Sequence, residues 1–202
     1  MFDALNHSLF SLINAAPGLS GWRLHGAIFA AEWLIMIMPL GLVLMWTNGV
    51  AGQRDAAVRA LLAAVIALTM SKIIGLMWDY PRPFVVGIGQ TFLEHAPDSS
   101  FPSDHATSML SVAIALMLCQ LREARRLGGA LLALSVVVCW ARVFLGVHWP
   151  LDMVCALIVS GVAAVLANSR TGQGVAGAMV SLMQYVYRRV LALPISRGWL
   201  RP

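Results

Sequence analysis

The chain has 202 residues, 59% of them hydrophobic and 11% charged, with a mean hydropathy of +0.78. A soluble globular domain carries about 25% charged and about 45–50% apolar residues, so that class is excluded. The net charge of +5 rests on thirteen arginines and Lys72, an excess that in so apolar a chain sets membrane orientation rather than binding nucleic acid.

At about 20 apolar residues per crossing, this length holds roughly five or six spans and no second globular domain. Phe2 to Ala15 carries Leu5, Leu9, Leu12 and Ile13 at amphipathic spacing, which predicts a short helix lying in the membrane interface within residues 1–20. Span one runs from Leu24 to Trp46 with Glu32 inside it, and span two from Ala56 to Trp78 with Lys72 inside it. A polar stretch rich in proline and glycine, Asp79 to Ser103, reads as the one long loop. Span three covers Asp104 to Leu121, span four Leu127 to Gly146, and span five Pro150 to Asn168, which completes a transmembrane core over 22–170. Val175 to Tyr187 is uncharged but polar enough to be either a second interfacial helix or a sixth span, so 171–202 is read as one of these plus a tail. The expected fold is therefore a single all-α domain over 1–202, a polytopic bundle of five or six transmembrane helices.

Arg54 and Arg59, then Arg122, Arg125 and Arg126, then Arg170 fall in loops on one side, which the positive-inside rule makes cytoplasmic. The long loop and the turn at His148 share the external side. Five spans are favoured, because a sixth would carry Arg188, Arg189, Arg197 and Arg201 outward.

Ionisable residues at membrane depth are costly, and here they gather at the external face from three distant segments. These are Lys72 with Pro81-Arg82-Pro83; Phe101-Pro102-Ser103-Asp104-His105; and Arg142 with His148 and Asp152. Pro102 and Ser103 read as a helix start with Ser103 as cap, leaving first-turn N–H groups free for an anion. Arg82 and Arg142 each offer a planar fork to phosphate oxygens. Asp152, four residues past His148, can hold one imidazole nitrogen and leave the other nucleophilic. His105 supplies a second imidazole able to protonate a leaving oxygen. Together these make a phosphoryl-transfer site without metal; no ligand spacing supports a metal at Glu94, His95 and Asp98, which read as solvated loop residues.

Arg82-Pro83, Pro102-Ser103-Asp104-His105 and Arg142-x5-His148-x3-Asp152 resemble the three signature motifs of the type 2 phosphatidic acid phosphatase superfamily. The longer strings Pro81-Arg82-Pro83-Phe84 and Ser100-Phe101-Pro102-Ser103-Asp104-His105-Ala106-Thr107 resemble the bacterial undecaprenyl-diphosphate phosphatases of the bacitracin-resistance type. The resemblance implies an inner-membrane enzyme whose partners are the bilayer and a polyprenyl diphosphate, with no cofactor; homo-oligomerisation is left open. It implies His148 as the nucleophile that forms a phosphohistidine, Asp152 as its orienter and His105 as the acid. Arg82, Ser103 and Arg142 would hold the phosphoryl oxygens, with Asp104 and Lys72 lining the same site. The chain departs from the superfamily pattern at Asp104, usually glycine, at Ala141, usually serine, and at Lys72, which precedes Arg82 by ten residues rather than seven.

Rival readings follow from the same residues. Lys72 could pair with Glu32 on the neighbouring helix instead of touching phosphate. Arg82 and Arg142 could snorkel. A Ser103-His148-Asp152 esterase would leave both arginines without work, and a transporter would spread its charges through the membrane depth rather than gather them at one face.

Overall fold

The computed structural model describes residues 2–48, 50 and 52–201, and among these every regular element is a helix. The N-terminal α1 is Phe2–Ile13. The first predicted span is broken into α2 (Trp22–Glu32), a 3-10 turn (Leu34–Met36) and α3 (Ile37–Asn48). The break has a local cause that the composition reading passed over. Pro39 lacks an N–H, and its ring crowds the carbonyl four residues back, so the turn around Ile35 cannot stay α-helical. There follow α4 (Gln53–Met77), α5 (Asp104–Met117), α6 (Arg122–Phe144) and α7 (Pro150–Asn168). The C-terminal part holds α8 (Arg170–Val190) and the short α9 (Ala192–Ser196).

Among the described residues, four stretches are long and apolar enough to cross a membrane: Trp22–Asn48, Gln53–Met77, Arg122–Phe144 and Pro150–Asn168. They correspond to the expected spans one, two, four and five. The expected span three is shorter than predicted. With 14 residues, α5 rises about 21 Å, short of the ~30 Å hydrocarbon core. Its place in the bundle explains this, for it is enclosed by α4, α6 and α7 and buries residues on all sides, from Ala106 through Val112 to Leu116.

Small residues let the helices close on one another, as expected where lipid removes the hydrophobic drive between them. Ala56, Ala60, Ala63, Ala64 and Ala67 make a buried stripe along α4. Gly128 of α6 rests against the backbone of α5: an added Cβ would stand 2.8 Å from Ala113 O and 2.9 Å from Met117 N. Hydrogen bonds add specificity, with Ser160 Oγ donating to Thr107 O (2.9 Å) and Asn168 Nδ2 to Ala115 O (3.3 Å). Ser169 separates α7 from α8 and accepts from Gly172 N at 3.2 Å, and α8 packs on α4 and α7, with Tyr187 near its end against Trp46 beside the start of α4.

Candidate active site

The C-terminal ends of α4 and α6, the N-terminal ends of α5 and α7, and the loop over 78–103 meet at one end of the bundle. They surround a cavity of about 500 Å³ lined by Lys72, Arg82, Asp104, His105, Arg142 and His148, with His95, Asp98 and others. Three segments more than twenty residues apart thus deliver their charged groups to one space.

The turn between α6 and α7 aims His148. Gly146 has φ 80°, a left-handed conformation that disfavours a side chain, and a Cβ there would collide with Gln90 O. Asn14 locks this arrangement from the end of α1: its Nδ2 donates to Gln90 O (2.8 Å) and Phe144 O (3.1 Å), and its Oδ1 accepts from Gln90 N (2.7 Å). Pro150 opens α7 as predicted. The Asp152 carboxylate reaches back one turn to accept from Trp149 N at 2.8 Å, the N-terminal half of a capping box.

His148 is buried, and its two nitrogens face opposite chemistry. Nδ1 lies 3.0 Å from Ser100 O and 3.1 Å from Asp152 Oδ2. Both are acceptors, so Nδ1 carries the ring proton. Nε2 lies 3.1 Å from Arg82 Nη1, a donor, and so presents its lone pair. Burial, then the charges of Arg142 and Arg82, hold the imidazole pKa well below the ordinary histidine range. The ring is therefore neutral at neutral pH. Ser100 Oγ donates a hydrogen bond to Asp152 Oδ2, and the other carboxylate oxygen is buried with no partner among the described residues.

The two arginines differ. Arg82 spends its donors on protein: Nε on Asp98 Oδ1 (2.9 Å), Nη1 on Val147 O (2.9 Å) and Nη2 on Ser99 O (3.3 Å). Arg142 is equally buried, yet its Nε and Nη2 have no partner among the described residues. Ser103 also departs from expectation. It stands at the N-cap position of α5 but makes no side-chain cap bond; its backbone carbonyl takes Thr107 N at 2.8 Å, while Oγ is buried and unpartnered. Unpaired buried donors on Arg142 and a free hydroxyl on Ser103 suit an anion that brings several acceptor oxygens. His105, in the first turn of α5, lines the cavity.

Lys72 is not paired with Glu32. Its Nζ lies 2.6 Å from Asp104 Oδ2, and Ser71 Oγ donates to Asp104 Oδ1 at 3.2 Å. Glu32 sits on α2, which packs against α6, so neighbours in sequence are not the neighbours that matter here. This also accounts for the acidic residue at position 104, which faces a lysine rather than the buried arginines.

Several contributors escaped the sequence reading. Asp98, read as a solvated loop residue, clamps Arg82 through Nε and Nη2. Ser100 holds Asp152 across 52 positions, a distance over which no spacing rule gives a signal. Trp149, given no part in the sequence analysis, is buried. It donates Nε1 to Pro81 O (2.8 Å) and packs on Phe10 and His7 of α1.

Among the described residues, no three His, Cys, Asp or Glu side chains are grouped to hold a metal ion. A membrane-embedded helical bundle with a cationic, histidine-bearing cavity at one end is the class of protein these features define. Residues 56–173 match the PAP2 superfamily, and the chain belongs to that family. Over 201 residues, covering 100% of both chains, it is 42% identical to YbjG of Escherichia coli (strain K12), provisionally named an undecaprenyl-diphosphatase. It is 28% identical to the undecaprenyl-diphosphatase BcrC of Bacillus subtilis (strain 168), over 77% of this chain and 79% of the relative. The crystal structure of Aquifex aeolicus LpxE superposes with a TM-score of 0.63 at 19% identity, covering 81% of this chain and 94% of LpxE; that likeness concerns the fold.

Proposed function

We propose that the protein is a lipid-diphosphate phosphatase that converts undecaprenyl diphosphate to undecaprenyl phosphate and phosphate without a metal ion. The observation that carries this reading is the imidazole of His148, held with Nδ1–H toward Asp152 and Ser100 and a lone pair on Nε2 toward Arg82. The undecaprenyl-diphosphatase names of YbjG and BcrC support the choice of substrate.

In this mechanism Nε2 attacks the terminal phosphorus, and the bond to the bridging oxygen breaks as the N–P bond forms. Arg142 and Ser103, whose donors are unspent among the described residues, hold the non-bridging oxygens; Arg82, held by protein beside Nε2, adds its charge, and His105 protonates the departing lipid phosphate. Water then attacks the phosphohistidine, giving its proton to His105 and releasing phosphate and neutral His148. The arginines supply the charge stabilisation that a metal gives elsewhere. The esterase alternative needs Ser103 Oγ hydrogen-bonded to the His148 imidazole, and that hydroxyl has no partner among the described residues. The arginines at the far end of the bundle (Arg122, Arg125, Arg126 and Arg170) favour a cytoplasmic position for that end and an external site in a bacterial inner membrane. In the same frame α1 lies in the external interface and α8 in the cytoplasmic one.

Phosphate release by the purified protein in detergent with EDTA tests the reading, comparing undecaprenyl diphosphate, undecaprenyl phosphate and phosphatidic acid. Fast release from the diphosphate alone is expected. Equal release from phosphatidic acid would make it a general lipid phosphatase, and a strict metal requirement would overturn the mechanism. Asp152→Asn is expected to lower kcat by about 10²–10³. A larger loss, of roughly 10⁴, accompanies removal of an aspartate on which the histidine tautomer alone depends. Here Ser100 O, at 3.0 Å, still accepts from Nδ1. Single-turnover kinetics on the folded variant check this value.

A further inference from the structure

The cavity holds a third imidazole for which the mechanism above has no use. His95, in the loop over 78–103, lines it with Arg82, Arg142, His105 and His148, its ring centroid 6.1 Å from that of His148 and nearly perpendicular to it. Its Nδ1 lies 3.1 Å from Ala96 O and 3.7 Å from Asp98 Oδ1. Both are acceptors, so Nδ1 carries a proton and Nε2 is left without a partner among the described residues. Asp98 also clamps Arg82, which ties the imidazole to the phosphoryl-binding wall.

One general acid suffices to protonate one leaving oxygen, and His105 fills that role. The leaving group of a diphosphate differs from that of a monoester in carrying a phosphate of its own, with a second pKa of about 6. His105 protonates the leaving oxygen, but the remaining negative charge of that inner phosphate still needs to be matched. We propose that His95 is a specificity residue for diphosphates: as an imidazolium it donates from Nε2 to a non-bridging oxygen of the inner, lipid-linked phosphate. This rests on the phosphatase reading above and adds to it the subsite for the second phosphate.

The charged and titratable groups facing His95 are Arg82 and Asp98 of its own loop, His105 of α5, Arg142 of α6 and His148 of the following turn. Burial and the charges of the two arginines hold its pKa below the ordinary histidine value. A bound diphosphate offsets those charges, so binding draws a proton from solvent onto Nε2. A monoester headgroup places no second phosphate there.

Calorimetric titration of the full chain in detergent with inorganic diphosphate and with orthophosphate, in buffers of different ionisation enthalpy, tests this without requiring turnover. His95→Ala is expected to weaken diphosphate binding about tenfold or more, the scale of a hydrogen bond to a charged group, and to change orthophosphate binding less than about threefold. Proton uptake per diphosphate bound falls in the variant. His95→Gln keeps the size and a neutral donor; it recovers part of the affinity and none of the proton uptake, which separates the proposed role from a folding defect. Equal weakening toward both anions, unchanged diphosphate binding or unchanged proton uptake overturns the proposal. If the wild type discriminates between the anions as expected yet releases no phosphate from undecaprenyl diphosphate, the subsite stands and the phosphatase reading fails.

Discussion

Replacing His148 by alanine is expected to stop phosphate release, with kcat reduced by roughly four orders of magnitude or more, because in the proposed mechanism the variant removes the atom that takes the phosphoryl group. Lesser roles would give lesser losses: a residue that only contacts the phosphate contributes about 10²–10³. The protein should nevertheless stay folded. Asp152 retains Ser100 Oγ and Trp149 N as donors, and Arg82 retains Val147 O, Ser99 O and Asp98. The loss of a buried ring then costs about 2–4 kcal/mol, as in other large-to-small changes in packed sites. Rapid quenching into alkali with substrate labelled in its terminal phosphate should trap a protein-bound, acid-labile phosphate in the wild type and none in the variant. Turnover within tenfold of wild type would remove the phosphohistidine from the mechanism.

Arg142→Met is expected to lower kcat/KM by about 10³-fold or more, the lower range for a transition-state arginine, while raising stability in the absence of substrate. The second half of this prediction follows from the contrast between the two arginines. Arg142 is 3% exposed, and two of its three guanidinium nitrogens lack a partner. A buried cation with unsatisfied donors among the described residues is costly, and an apolar replacement of similar length removes that cost. A gain of about 1–3 kcal/mol, or roughly 3–10 °C in Tm for a chain of this size, should appear in thermal unfolding in detergent. Arg82→Met should instead lose both activity and stability, since it strands Asp98 and the carbonyls of Val147 and Ser99. If Arg142→Met destabilises as much as Arg82→Met, Arg142 is a structural cation and not a phosphate ligand.

Apolar runs were enough to read an all-helical membrane bundle, and the polar residues that interrupt them nominated Arg82, His105, Arg142, His148 and Asp152 as a candidate set, whose first four line one cavity. These signals survive in one dimension because lipid imposes length and polarity on each segment separately. The helix start at Pro150, with Asp152 one turn inside it, was legible for the same local reason. The break before α3 was also written locally, in Pro39, and was passed over because composition over a window hides a single residue.

What only the tertiary structure decided is which groups meet. Lys72 pairs with Asp104 and not with Glu32 because α2 lies on α6 and leaves the end of α4 to α5. Ser100 and Asp98, unremarkable in a polar loop, become the partners of Asp152 and Arg82 through contacts 52 and 16 positions apart. The length of α5 follows from enclosure by three helices rather than from contact with lipid. Ser103 has the residue type of a cap, but its hydroxyl is buried and unpaired. The amino-acid sequence alone therefore determined the solvent of this protein, its helical class and a list of candidate site residues. The pairing of charges and the donors left unpaired depend on long-range packing, where each side chain's partner is chosen by geometry that no local pattern encodes.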